Sequence, residues 1–278
     1  MPAIADHPRI QLQDQGFVVL RGAIPAEVIA LARAILGTWV EAMIARWIGE
    51  GRLDGAPQDH DFRTRFLAAW NGAGRPRYER SPRGELVPLA PDTLFRLLTH
   101  PALLDLAQGL LGSDRLISHG IWNSRPKAPD QAYTDTPWHQ DAQYFPDQAQ
   151  RPMANCWFPL HAVDATTSCL AMAPAAHRAG LCERYDDPSG FIGIAPQARA
   201  RLEEVPLTME PGDCVWFTNL TPHRAMPNLS RSMRWSFDLR FAVHGDEERW
   251  PLGQGIVARH PDPAQLTSMA DWRATWPR

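Results

Sequence analysis

From residue 115 onward the chain breaks into short, β-rich runs. These are "RLISHGIWNSRP", "PWHQDAQYF", "MANCWFPLHAV", "SCLAMAP", "VPLTM", "DCVWFTN" and "MRWSFDLRF", most of them divided by Gly, Pro, Asn and Asp, as in "MEPGD" and "PNLS". Several short strands with few helices between them argue for an antiparallel barrel or a double-sheet jelly roll. The 26 prolines point the same way, toward turns and away from a helical bundle.

The segment before residue 112 reads differently. "GFVVLRGAIP" (16–25) predicts a strand and a turn feeding a helix. In the apolar run 28–48, Val28, Leu31, Ile35, Trp39 and Met43 fall at helical spacing, while Arg33, Glu41 and Arg46 make it a poor membrane span. It reads as a buried amphipathic helix. Residues 91–112 predict two short helices broken near Pro101 and ending at Gly112. Residues 49–91 carry Arg63, Arg65, Arg75, Arg77, Arg80 and Arg83 and read as an irregular surface excursion, either a solvated loop or a lid bringing cations to an anion. The expectation is a single unit: helical cover and Arg-rich segment over 1–112, jelly-roll core over 115–245, and an extension over 246–278.

Net charge is -3, which gives no reason to expect nucleic acid or a membrane surface as partner. The N-terminus lacks a basic stretch followed by an apolar core, and the four cysteines form no Cys-x-x-Cys pair. Reduced packing cysteines in a cytoplasmic protein are the expectation. No feature sets an oligomeric state.

"TPWHQDAQYF" places His139 and Asp141 two residues apart. On an extended chain both would point one way and could share a metal ion. The pattern is common: with ten histidines, about one chance match is expected. It occurs three times, at His139, His244 and His260. The His260 copy precedes Pro-Asp-Pro, the His244 copy lies in a charged turn, and neither has a suitable third ligand downstream. The His139 copy has His223, between two predicted strands. In the last strand Arg234, Ser236, Asp238 and Arg240 share one face, and Trp235, Phe237, Leu239 and Phe241 the other. That strand is either an edge with its polar face in water or the wall of a polar lumen with Arg234 pointing in.

His139-x-Asp141, His223 and then Arg234 eleven residues later resemble the phytanoyl-CoA dioxygenase family of Fe(II)/2-oxoglutarate oxygenases. "HQDAQYFP", "CLAMAPAAHRAG", "EPGD", "GFVVLRGAIP" and "TLFRLLTHPALLDLAQGLLG" are similar to its motifs in order and spacing, over about residues 10–245. The resemblance implies a double-stranded β-helix, cupin-like, with His139, Asp141 and His223 as iron ligands. It implies Fe(II), 2-oxoglutarate and O2 as cofactors. Arg234 would hold the far carboxylate of 2-oxoglutarate, with Trp157, Ile121 and Asn123 beside the cosubstrate. The chemistry implied is oxidative decarboxylation to succinate and CO2, coupled to hydroxylation of an unactivated C–H. Asp141 favours hydroxylation over halogenation, because related halogenases lack the carboxylate. Two positions depart from the pattern: Ala225 replaces a small hydroxyl residue, and Ile121 stands where relatives use Met.

Trp122, Gln143 and Arg80 are candidate contacts to a small-molecule substrate, possibly anionic. Trp122, Trp138, Tyr144 and Phe145 are equally suited to a pocket or a core. His161, His177, Cys156 and Cys169 are more often structural. A non-oxidative metal-binding jelly roll, such as a sensor, a binding module or a zinc hydrolase, is the alternative, though a zinc hydrolase has no use for Arg234 at that offset.

Overall fold

The computed structural model describes residues 6–58, 60–144, 153–245 and 255–276. Its frame is a seven-stranded antiparallel sheet facing a smaller one. The large sheet contains β1 (Phe17–Leu20), β2 (Leu116–Ser118), β3 (Asn123–Ser124), β4 (Met153–Pro159), β9 (Cys214–Thr218), β11 (Ser236–Val243) and β12 (Ile256–Arg259). Its order is β1-β9-β4-β11-β2-β12, with β3 also paired to β11. The small sheet runs β10-β5-β8, from His223–Ala225, Leu170–Met172 and Val205–Pro206. A separate hairpin joins β6 (Arg184–Asp186) to β7 (Ile192–Ile194).

β11 is the central strand, paired to β4 from Ser236↔Pro159 to Ala242↔Met153. Its side chains alternate as the pleat requires. Trp235 and β11's Phe237, Leu239 and Phe241 enter the core between sheet and helices. Phe237 is fully buried and stacks near Phe158 and Trp122. The other face carries Ser236, Asp238 and Arg240, also buried, so it lines an interior and is not an edge in water. Between the sheets lies a second cluster that includes Phe17, Trp157, Leu170, Met172, Val215 and Phe217.

The helical cover is α1 (Asp6–Gln15), α2 (Ala26–Gly49), α3 (Arg65–Gly72), α4 (Arg83–Leu89), α5 (Pro91–Leu98) and α6 (Pro101–Leu111). The break at Pro101 and the left-handed cap at Gly112 fall where expected. α2 is long and apolar enough to cross a membrane by length and composition. Here its stripe Val28, Leu31, Ile35, Trp39, Met43 and Trp47 is buried in the core, as the spacing predicts.

Three expectations change. Residues 49–91 are not a bare excursion: α3 and α4 fold there and bury Phe66, Trp70, Tyr78 and Leu86. Phe66, Ala69 and Trp70 have i, i+3, i+4 spacing, which the arginine density hid. β1 comes from the N-terminal segment and β12 from the C-terminal one, so the large sheet extends beyond 115–245. His139-Gln140-Asp141 is not a regular strand. His139 forms a single bridge to His223, and Asp141 opens a short 3-10 turn. Buried amides hold that bend: Gln140 Nε2 donates to Leu220 O (2.6 Å) and Gly180 O (2.9 Å), and Gln143 Oε1 accepts from Gln140 N (3.0 Å).

Gly16 ties β1 to this region. Its φ is 83°, and its carbonyl accepts from Thr221 Oγ1 at 2.6 Å. A Cβ there would lie 2.6 Å from His177 Nδ1 and 2.8 Å from Thr221 Oγ1. Gly16→Ala combines a disfavoured φ with a collision and is expected to cost about 2 kcal/mol. Thermal unfolding of the variant checks this, with an expected fall in Tm of several degrees.

Candidate metal centre

His139, Asp141 and His223 converge: one ligand-capable atom from each lies within 4.8 Å of the others, and all three residues are buried. Among the described residues no other such group of three or more His, Cys, Asp or Glu occurs. Asp246, partner of the His244 copy, lies outside them. The backbone sets the imidazoles. His139 Nδ1 is 2.9 Å from Pro137 O and 3.1 Å from His223 O; His223 Nδ1 is 2.9 Å from Thr221 O. Carbonyls only accept, so both Nδ1 atoms carry the proton and both Nε2 lone pairs are left for a metal. Burial, reinforced by His223, pushes His139 down to about 3, which keeps it a neutral ligand.

Asp141 is held by Arg240, a residue for which the sequence reading assigned no role. Arg240 Nη2 donates to Asp141 Oδ2 at 3.0 Å, and Asp141 Oδ1 lies 3.7 Å from His139 Nε2. Burial acts to raise the Asp141 carboxyl, but Arg240 and then the two histidines outweigh it and hold it well below the usual range. Arg240 also reaches Asp238 Oδ1 (3.4 Å) and Ile121 O (3.2 Å). Its own burial lowers it, but the two carboxylates win and raise it. One carboxylate oxygen is therefore fixed by a guanidinium and the other is available.

A narrow recess and a larger cavity meet at the triad, sharing Arg125, Thr136 and His139 in their walls. The recess, about 30 Å³, has room for a group of carboxylate size. Trp157, Ala225, His223 and Arg234 line it. Arg234 is 2% exposed, and its guanidinium lies 5.8 Å from the Trp157 ring centroid. Its Nη1 donates to Ser236 Oγ (2.5 Å) and Nη2 to Ser168 Oγ (3.5 Å). Its Nε has no hydrogen-bond partner, and it makes no ion pair among the described residues. Burial, with Arg125 nearby, pushes it down to about 9. A buried guanidinium lacking an anion fits the far carboxylate of a dicarboxylate. With Ala225 carrying no hydroxyl, Ser168 and Ser236 supply hydroxyls to this arginine.

The cavity, about 390 Å³, is lined by Ile121, Asn123, Arg80, Tyr144, Phe191 and the metal-side residues. Asn123 also braces the centre, donating to Asp238 Oδ2 at 3.2 Å. Two expected substrate contacts are placed elsewhere. Trp122 is 1% exposed and packs in the helix-side core, because its position alternates away from the lumen. Gln143 is buried in the bend, donating to Gly193 O at 3.1 Å. Trp138 packs with Ala171, Ala173 and Ile194, and Phe145 lies outside the described residues. His161 is structural, accepting from Trp235 N at 3.0 Å, and His177 contacts Gln13 O at 3.1 Å. Arg125 and Thr136 went unnoticed in sequence: Arg125 sits in no motif, and Thr136, though it opens "TPWHQDAQYF", lies outside its His-x-Asp pattern.

A jelly roll presenting two histidines and one carboxylate at a buried point, with coordination positions to spare, has the protein side of a facial-triad centre. The chain belongs to the phytanoyl-CoA dioxygenase (PhyH) family, whose profile matches residues 12–236. It is 27% identical over 158 residues to the peroxisomal phytanoyl-CoA dioxygenase of Bos taurus, covering 54% of this chain and 46% of that one. The chain thus spans about half the length of the curated relatives it matches. In fold it is similar to AviO1 from Streptomyces viridochromogenes Tue57 (TM-score 0.59, 20% identity, 88% of this chain and 97% of that one). It is also similar to the epimerase SnoN in complex with Fe3+, alpha ketoglutarate and nogalamycin RO (TM-score 0.54, 18% identity, 95% and 89%).

Replacing Arg240 by Met removes the support of Asp141 and leaves that carboxylate buried without a counter-charge. Metal affinity is expected to fall about 10- to 100-fold. Anaerobic calorimetry with Fe(II), beside far-UV circular dichroism to verify the fold, checks it.

Proposed function

We propose that this chain is a non-haem Fe(II)/2-oxoglutarate-dependent oxygenase that hydroxylates a C–H of a small molecule, releasing succinate and CO2. The observation that carries the reading is the pairing of the buried triad with Arg234, a buried cation lacking an anion at the far side of the adjoining recess. His139, Asp141 and His223 would hold the iron, whose chemistry is to activate O2 with electrons from the cosubstrate. Arg234 would orient 2-oxoglutarate through its far carboxylate, with Trp157 as the wall of its binding site. Arg240 keeps Asp141 ionised and aimed. Ile121 and Asn123 border the cavity in which a substrate would stand.

A zinc hydrolase or a metal-binding sensor is disfavoured by Arg234, since neither needs a desolvated guanidinium there. An epimerase shares the fold, so a change of stereochemistry without net hydroxylation is the second reading. We take the described chain as one catalytic unit, because a single apolar cluster runs from α2 through α6 into β11. Four free thiols support a reducing, cytoplasmic setting.

Two variants test the reading. Anaerobic addition of Fe(II) and then 2-oxoglutarate is expected to give a visible metal-to-ligand charge-transfer band. Arg234→Ala should require about 30- to 150-fold more 2-oxoglutarate, from roughly 2–3 kcal/mol of lost charge-assisted bonding. Asp141→Ala is expected to abolish substrate-dependent succinate formation while its circular dichroism matches wild type. Undiminished turnover in that variant would refute the assignment.

A further inference from the structure

The cavity beside the triad holds positive charge that the proposed function leaves unused, and the inference drawn from it rests on that function. Across recess and cavity the guanidiniums of Arg80, Arg125, Arg234 and Arg240 face two carboxylates, Asp141 and Asp238. Arg240 is paired to both carboxylates. Arg234 is the partner of the cosubstrate. Fe(II) would bring two positive charges and 2-oxoglutarate two negative ones, so loading the site leaves the imbalance where it was. Arg125 and Arg80 remain.

Arg125 is the better placed of the two. It stands in the wall common to recess and cavity, with His139 and Thr136. Its nearest carboxylate oxygen, Asp238 Oδ2, is 3.9 Å away and already accepts from Asn123 at 3.2 Å. The side chain is only 20% exposed, so bulk water adds little to this one long ion pair with a shared carboxylate. Arg80 is half-buried and lines the same cavity. It lies 3.8 Å from the Phe191 ring centroid, donates to Ser189 O at 2.9 Å, and faces no carboxylate within ion-pair reach among the described residues. Arg77, from the same arginine-rich segment, is exposed, packs on Tyr133 and does not line the cavity.

We propose that the cavity takes a small substrate bearing an oxyanion, carboxylate or phosph(on)ate, which sits on the fork of Arg125 with Arg80 as the second cation. A planar guanidinium matches two oxygens of such a group. At about 390 Å³ the cavity is at the small end of ligand sites, and Arg125 shares a wall with the metal ligand His139. The reacting carbon is therefore within a few bonds of the anion. A long chain with its charge at a distant end does not use Arg125 in this way.

The test titrates the Fe(II)- and 2-oxoglutarate-loaded protein anaerobically with propylphosphonate, butanoate and, as the uncharged control, butanamide. Heat of binding and perturbation of the charge-transfer band are read together. The two anions are expected to saturate at concentrations at least tenfold below the amide. Arg125→Gln should erase that preference while lowering 2-oxoglutarate affinity by less than Arg234→Ala does, since Arg125 also borders the recess, and Arg80→Gln should weaken the anions by a smaller factor. The ratio of phosphonate to carboxylate affinity identifies which anion the fork prefers. Equal binding of anions and amide by wild type, or a preference retained in Arg125→Gln, overturns the proposal. So does a loss of 2-oxoglutarate affinity in Arg125→Gln as large as in Arg234→Ala, since Arg125 would then serve the cosubstrate. If wild type binds no 2-oxoglutarate, the oxygenase reading alone fails. The same anion series on the Fe(II)-loaded protein then decides the role of Arg125 by the same criteria.

Discussion

The buried ion pair between Arg240 and Asp141 is the contact on which the centre depends. Both side chains are nearly inaccessible, and each alone would be costly to desolvate, by several kcal/mol. Paired at 3.0 Å, they make one carboxylate oxygen structural and leave the other for a metal. Asp238 extends the pair, touching Arg240 on one oxygen and Asn123 on the other. Two of these charges, Asp238 and Arg240, thus sit on one strand and lock Asp141 to it. β11 can carry them only because its opposite face, Phe237, Leu239 and Phe241, is packed against the helices. A slip of one residue would exchange the two faces and bury aromatic rings where the guanidiniums now stand.

The histidines are set by a different device. The bridge His139↔His223 brings the bend after Trp138 against β10, and backbone carbonyls accept the Nδ1 protons: Pro137 O and His223 O, the latter also completing the bridge, for His139, and Thr221 O for His223. Ligand tautomer and backbone geometry are therefore one constraint, and no carboxylate is needed behind either imidazole. Asp141, by contrast, lies past the bridge, where the chain turns. Its direction comes from Gln140 and Gln143, whose amides satisfy the backbone groups that a regular ladder would have paired.

Much of this was legible in the sequence, for reasons tied to period. The alternation of residues 234–241 marks both faces of β11, while leaving open whether the face with Arg234 met water or a lumen, and helical spacing marks α2 as a core element. The triad emerged because His223 is the downstream histidine flanked by strands. What escaped is instructive. Trp122 belongs to a stretch too irregular for its face to be read, and it went to the core. α3 was obscured because Arg63, Arg65 and Arg75 look like a solvated loop. They bind Ser232, Glu41 and Asn71 and tie the helix in place. Arg125 precedes a proline and belongs to no motif. Its role follows only from three-dimensional proximity to the triad.

The triad draws on the seam between the two sheets, and this limits how the site can vary. His223 opens β10 in the small sheet, while Arg234 and Arg240 belong to β11 and the residues just before it in the large one. Their separation is fixed by the cluster between the sheets, where Phe17, Trp157 and Phe217 meet Leu170 and Met172. Interiors packed to this density resist continuous deformation. A change in any of these side chains alters the distance between His223 and Arg234 without replacing either. The cavity walls beyond the seam come from Ile121, Tyr144 and the β6–β7 turn with Gly190 and Phe191. Those residues can change shape and polarity while the seam stays intact, so the cavity can be reshaped on an unchanged fold.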